Sequence, residues 1–313
     1  MKLRILLAAA GLVTCAAASP VELSRDPDKA PVSIADVSLF WRAFDLWVSG
    51  GGQSDKLALV LKTEYLDKGS DGVKDFTPNR IIDAESLAAR ILEDRGYYER
   101  ARPYAEKILA FEPEIRAIYR KFRDWYPAAR FPALYFVVGR RNSGGMSSQR
   151  ALIIGTEMFG DDRARLRFDV MVPMVAHELM HFQQRTSQEK GSGFLASCLR
   201  EGAADFLAER LAGRHINESI KSYGDAHERE LWERFQQDVT RPDGHRAWLY
   251  NARDSKRVGP PDLGYYMGYK ITQSFYQAST DPAAALRAII EMHDPEDIFQ
   301  RSQYGNRFGR AGK

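Results

Sequence analysis

Residues 170–181 constrain the fold and chemistry of this chain more than any other stretch. An apolar run, Val-Met-Val-Pro-Met-Val-Ala, is followed directly by the motif His-Glu-Leu-Met-His at 177–181. On a helix, residues four positions apart share a face, so the imidazoles of His177 and His181 are directed toward one point. Glu178 lies beside that point and can reach a water bound there. The stretch predicts a buried helix that offers two nitrogen ligands to a metal ion.

A second motif, Glu-Gly-Ala-Ala-Asp at 201–205, follows on a separate helical pattern. Two neighbouring helices can bring Glu201 to the two imidazoles, and two His with one Glu leave the fourth position of a zinc ion open. Asp205, one turn beyond Glu201, is placed to orient a ligating imidazole by a hydrogen bond. We therefore expect one Zn²⁺ per chain, held by His177, His181 and Glu201. The alternative is a helix whose two histidines lie on the surface, paired with nearby carboxylates.

The two motifs at this spacing resemble those of the gluzincins, the metallopeptidase clan of thermolysin and the aminopeptidases. The resemblance implies that His177, His181 and Glu201 are metal ligands, that Glu178 is the general base, and that Asp205 binds the far nitrogen of His177. It also implies a fold: an α+β, mainly α-helical, zincin-like metallopeptidase domain with a small β-sheet or hairpin beside the active-site helix.

A wider resemblance covers most of the chain after its N-terminus. It is to a bacterial family of predicted zinc-dependent proteases, a domain of unknown function. It rests on the two zinc motifs and on less specific features: Gly69-Ser-Asp-Gly72 before Phe76, Tyr97-Tyr98, Gly144-Gly145 and Gly264-Tyr-Tyr-Met-Gly268.

Peptide hydrolysis by a zinc-bound water also needs a hydrogen-bond donor for the tetrahedral intermediate. Tyr265-Tyr-Met-Gly268 resembles the Tyr-x-x-Gly that supplies such a tyrosine in aminopeptidase-type gluzincins, so Tyr265 is expected in this role. Tyr266, Tyr269 and His245 are the other candidates, and an aromatic stripe that packs against the metal-binding helix accounts for some of these tyrosines equally well.

The first residues have the pattern of an export signal. Residues 1–18 combine a basic start, a short apolar run and small residues before Ser19, and residues 19–33 form a flexible tether. Cys15 ends the sequence Leu-Val-Thr-Cys, which resembles a lipobox and makes lipid attachment an alternative to cleavage after Ala18. No later run approaches about 18 apolar residues. We expect a periplasmic or secreted protein without a transmembrane segment, or an outer- or cytoplasmic-membrane lipoprotein.

Residues 34–313 are expected to form a single zinc-peptidase domain. Its predicted parts are a helical N-terminal part (34–127), a β-hairpin (131–160), the metal-binding helices (168–213) and a helical C-terminal part (214–313). The hairpin is expected to join the apolar runs 134–138 and 151–154 around the turn 142–145. Such a strand beside a cleft either pairs with an extended peptide or serves the fold alone.

Charge and motif content decide between functional classes. The 45 basic and 42 acidic residues are interspersed, which does not indicate a nucleic-acid partner. With no clear motif for gripping a free amino terminus, the expected function is a zinc-dependent endopeptidase, a hydrolase that acts on a peptide or protein substrate. The alternative is a non-enzymatic zinc-fold envelope protein that binds a partner or assists surface assembly.

Overall fold

The computed structural model describes residues 23–105, 107–160, 167–184, 193–239, 241, 244–252, 254–255 and 257–309. The predicted export signal and Cys15 lie outside these residues. The predicted flexible tether, residues 19–33, is wrong where the structure describes it, because Val32–Ser33 is a strand of the sheet and Ser24 pairs with Phe131. The fold is α+β and mainly helical, as predicted, with one small sheet. None of the described helices has the length and apolar character needed to cross a bilayer.

The N-terminal part is helical, as its three- and four-residue apolar spacing predicts. Val37, Phe40, Phe44 and Trp47 form the buried face of the first helix, which ends before Gly50. The helices in this part are α1 (Ala35–Ser49), α2 (Ser54–Leu61), α3 (Asp71–Phe76), α4 (Ala84–Glu93), α5 (Arg95–Ala105) and α6 (Glu112–Trp125), with π-helical turns at Lys62–Leu66 and Thr77–Ile81 and a 3-10 turn at Ile108–Phe111.

The strands are β1 (Val32–Ser33), β2 (Ala133–Val137), β3 (Gly145–Ser147) and β4 (Ala151–Gly155), in the sheet order β1-β2-β4-β3. The predicted hairpin between the two long apolar runs is wrong, because β2 and β4 are parallel, with Leu134 opposite Leu152. The true hairpin joins β3 to β4. Every residue of β4 is buried, and a continuous apolar run of this kind is typical of a parallel strand covered on both faces.

The metal-binding part and the C-terminal part, from residue 168 on, are helical again, with one short 3-10 turn before them at Thr156–Phe159 and another near the end of the described chain at Tyr304–Phe308. Its helices are α7 (Phe168–Gln184), α8 (Phe194–Ala212), α9 (Glu218–Ala226), α10 (Glu228–Asp238), α11 (Gly244–Trp248), α12 (Leu263–Ala278), α13 (Pro282–Glu291) and α14 (Pro295–Ser302).

Three of these helices form the framework of the site. Helix α7 packs between the β3–β4 hairpin and α8, and α8 packs against α12. Two glycines make the second contact possible: a Cβ on Gly202 would lie 2.0 Å from the backbone N of Tyr269, and a Cβ on Gly268 would lie 1.8 Å from the carbonyl O of Cys198. The backbones of α8 and α12 therefore touch directly, which fixes α8 relative to the rest of the core.

Candidate metal centre

Helices α7 and α8 bring the three predicted ligands together. The imidazole rings of His177 and His181 lie 4.5 Å apart between centroids and are nearly perpendicular. Oε2 of Glu201 lies 3.0 Å from Nε2 of His181 and 3.4 Å from Nε2 of His177. The three ligand atoms all lie within 4.8 Å of one another. Two imidazole nitrogens and one carboxylate oxygen are a donor set that suits Zn²⁺.

The outer nitrogens of both imidazoles are held by hydrogen-bonding partners. Nδ1 of His177 lies 2.8 Å from Oδ1 of Asp205, the residue predicted to orient it. Nδ1 of His181 lies 2.9 Å from Oε1 of Gln184, which sequence reasoning did not identify. An acceptor on Nδ1 favours the tautomer with its proton there, so the neutral imidazoles would direct their Nε2 lone pairs at a metal ion in the common centre.

The ionisable groups of the site change one another's pKa values. Burial by itself lowers the pKa of His177, but its hydrogen bonds to Asp205 and Glu201 outweigh burial and raise that pKa well above the ordinary value. Burial likewise raises the pKa of Glu201, but the positive charge of His181 and the hydrogen bonds from both imidazoles bring it well below the ordinary value. The two buried carboxylates therefore require positive charge beside them, which either a proton or a divalent ion can supply.

The three ligands line a cleft of about 1120 Å³. Glu178 also lines it and packs against the β3 strand, since a Cβ on Gly145 would lie 2.6 Å from Oε1 of Glu178. Any larger residue at 145 would displace this carboxylate. The motif's glutamate is thus placed in the cleft beside His177, as its position on the helix predicts.

The four candidate donors differ in their surroundings. The ring of Tyr265 stacks on that of His177 at 6.3 Å between centroids, and Tyr265 lines the cleft. Burial, followed by the charge of Glu201, raises the pKa of Tyr265 well above its ordinary value, so it stays a phenol. The other three donate or share hydrogen bonds elsewhere: Tyr266 with Asp225, Tyr269 with Glu209, and His245 with Ser197.

Tyr250 is a cleft residue that sequence reasoning missed. Its hydroxyl donates a 2.6 Å hydrogen bond to Oε1 of Glu201, and its ring meets that of Tyr265 edge-on at 6.3 Å. No motif surrounds this residue, and it lies 49 positions from Glu201 along the chain. Only the folded structure brings the two together.

Comparison with known proteins gives one family. Residues 61–306 match the family model described as gliding motility protein GldB, whose name marks a lipoprotein family. The match covers both metal motifs and most of the chain. No curated protein and no solved structure matches.

This match corrects the functional expectation. The chain was expected to be a gluzincin-type zinc peptidase, similar to the predicted zinc-dependent proteases, but no peptidase family matches it and the family that does match is one of gliding motility. The classification as a hydrolase or metalloprotease is wrong with it, and the match gives no support to a peptide substrate. A lipoprotein family agrees with the expected export. The metal ligands, and the roles of Glu178 and Tyr265, stay predictions.

Proposed function

This chain belongs to the family of gliding motility protein GldB, and from that premise we propose that it is a non-enzymatic exported lipoprotein that docks a partner protein in a zinc-binding cleft. The observation that carries the proposal is the composition of the cleft. Four of the eight methionines line it: Met146, Met158, Met174 and Met292. Methionine is over-represented at protein-binding surfaces because its flexible side chain adapts to the partner.

The other residues at the cleft also favour protein docking. Tyr250 is 68% exposed, and Arg80 and Arg200 are among the lining residues. Tyr, Met and Arg are the residue types that protein interfaces use more often than the rest of the surface does. Tyr and Arg also supply most of the residues that dominate binding energy.

The β3 strand offers the cleft a backbone docking edge. It is the last strand of the sheet in the part of the chain that the structure describes. Every second residue along this strand forms backbone hydrogen bonds to β4. Gly144 and Ser148 do so, which leaves the backbone groups of Gly145 and Ser147 pointing away from β4. A partner in extended conformation can pair with such an edge. In this structure the carbonyl of Gly145 accepts a hydrogen bond from the Ser143 hydroxyl.

The proposed zinc ion has a structural role in this account. Held by His177, His181 and Glu201, it would link α7 to α8 and neutralise buried carboxylate charge, and such binding energy adds directly to the stability of the fold. A zincin-like arrangement of these two helices is part of the same proposal. We also propose that Cys15 carries the lipid and that this anchor holds the cleft near the envelope membrane.

The proposal is tested by two substitutions in the gene of the source bacterium, scored by surface spreading. Glu178→Gln keeps the size of the side chain and removes its basicity, so a docking protein should retain spreading at the wild-type level. Glu201→Ala removes the ligand shared by both imidazoles and should abolish spreading. Both variant proteins are compared with wild type for abundance in the envelope. Loss of spreading in Glu178→Gln, at normal abundance, would contradict a non-enzymatic role.

A further inference from the structure

We propose that Tyr250 is a positioning residue that fixes Glu201 as a one-oxygen ligand of the metal ion. This inference rests on the proposed zinc site and adds a residue to it that neither motif contains. Tyr250 acts through the carboxylate of Glu201.

The two oxygens of Glu201 have separate partners. Oε2 faces the imidazoles, at 3.0 Å from Nε2 of His181 and 3.4 Å from Nε2 of His177. Oε1 accepts the 2.6 Å hydrogen bond from the hydroxyl of Tyr250. A short bond of this kind to a carboxylate is among the stronger hydrogen bonds in proteins. The side chain of Glu201 is therefore oriented with one oxygen committed to the ligand centre and the other committed to the phenol.

The backbone around Tyr250 holds the phenol in place. Tyr250 has a φ of +54°, in the left-handed region that a tyrosine rarely occupies. The next residue, Asn251, is buried, and its side-chain oxygen accepts from the backbone N of Asp262 at 2.9 Å. In return, the backbone N of Asn251 donates a 3.4 Å hydrogen bond to Oδ1 of Asp262. This reciprocal pair ties the Tyr250 loop to the start of α12, the helix that carries Tyr265.

The exposure of Tyr250 does not account for its left-handed backbone conformation. Tyr250 is 68% exposed, so packing of its ring against the core does not account for its placement. A left-handed backbone costs conformational energy and persists where the surroundings impose it, most often at functional sites. A purely structural tyrosine would gain little from the strained backbone, whereas a residue that orients a metal ligand requires that placement.

The consequence for the metal is geometric. A carboxylate can bind an ion through one oxygen or through both, and the hydrogen bond on Oε1 opposes the second mode. Outer hydrogen-bonding partners of this type orient ligands and typically change metal affinity about 10- to 100-fold. With Oε1 bonded to the phenol, His177, His181 and Oε2 of Glu201 would leave the fourth position of a bound zinc ion open to the cleft.

The test compares purified wild-type protein with Tyr250→Phe, each loaded with Zn²⁺ alone. Zinc affinity is measured by competition with a chromophoric chelator, and coordination by X-ray absorption at the zinc edge. Tyr276→Phe is the matched control, since it also removes one phenol hydroxyl, which here accepts a hydrogen bond from Arg210 and does not line the cleft. We expect Tyr250→Phe to lose at least about 10-fold in affinity and to change the oxygen shell, and the control to match wild type.

Two outcomes overturn the inference in distinguishable ways. If Tyr250→Phe binds zinc with wild-type affinity and an unchanged absorption spectrum, the phenol does not position Glu201, while the proposed zinc site stands. If the wild-type protein itself binds no zinc, the zinc site of the proposed function is contradicted and the role of Tyr250 is contradicted with it.

Discussion

Replacing Gly268 by alanine is expected to lower the free energy of unfolding by about 3 kcal/mol and to weaken zinc binding in the same variant. The added Cβ would lie 1.8 Å from the carbonyl O of Cys198 and 3.2 Å from the Cα of Gly202. Both neighbours are backbone atoms of α8, so no side chain can rotate away to make room. The two helices must separate instead, and α8 carries Glu201 and Asp205.

This prediction is measured by denaturant unfolding followed by circular dichroism. Gly193→Ala is the matched control, because Gly193 precedes the first residue of α8 and a Cβ there meets nothing within 4 Å. The control should lose no more than about 1 kcal/mol, the usual cost of alanine at a helix N-cap. Equal stability of Gly268→Ala and the control would show that α8 and α12 do not approach as closely as described.

Replacing Asp205 by alanine is expected to weaken zinc affinity by about 10- to 100-fold. Asp205 is buried, and its carboxylate holds Nδ1 of His177 at 2.8 Å. Without that acceptor the imidazole is free to rotate or to present its proton toward the ligand centre. Affinity is measured by chelator competition at constant pH.

Asp205→Asn is the matched comparison for this variant. The amide keeps the size of the side chain and one oxygen acceptor, so a smaller loss is expected than for alanine. If both variants bound zinc as tightly as wild type, Asp205 would have no part in orienting His177.

The ligand cluster could be anticipated from sequence because its geometry is local. The spacing of His177 and His181 determines a shared helix face, and helix periodicity predicted both α7 and α8. Gln184 and Tyr250 could not be anticipated. The first is one of two adjacent glutamines, and the second reaches Glu201 through a loop whose path depends on the tie between Asn251 and Asp262.

The predictions of the strand pairing and of the function were wrong for a related reason. The sequences of apolar strands such as β2 and β4 are the same in character whether the strands pair in parallel or antiparallel. The relative direction of two strands is set by the chain between them. Likewise, the motif at 177–181 specifies ligand placement on one helix, whereas a reaction depends on everything else around the site. The family match extends over residues 61–306, so it depends on the sequence around the site as well as on the motif.

The central claim, a zinc-binding cleft built on α7 and α8, is tested most directly by elemental analysis of the purified mature protein, with Glu201→Ala beside wild type. The account predicts about one zinc per wild-type chain and none in the variant. Absence of zinc from the wild-type protein after incubation with Zn²⁺, or an equal zinc content in the variant, would contradict it.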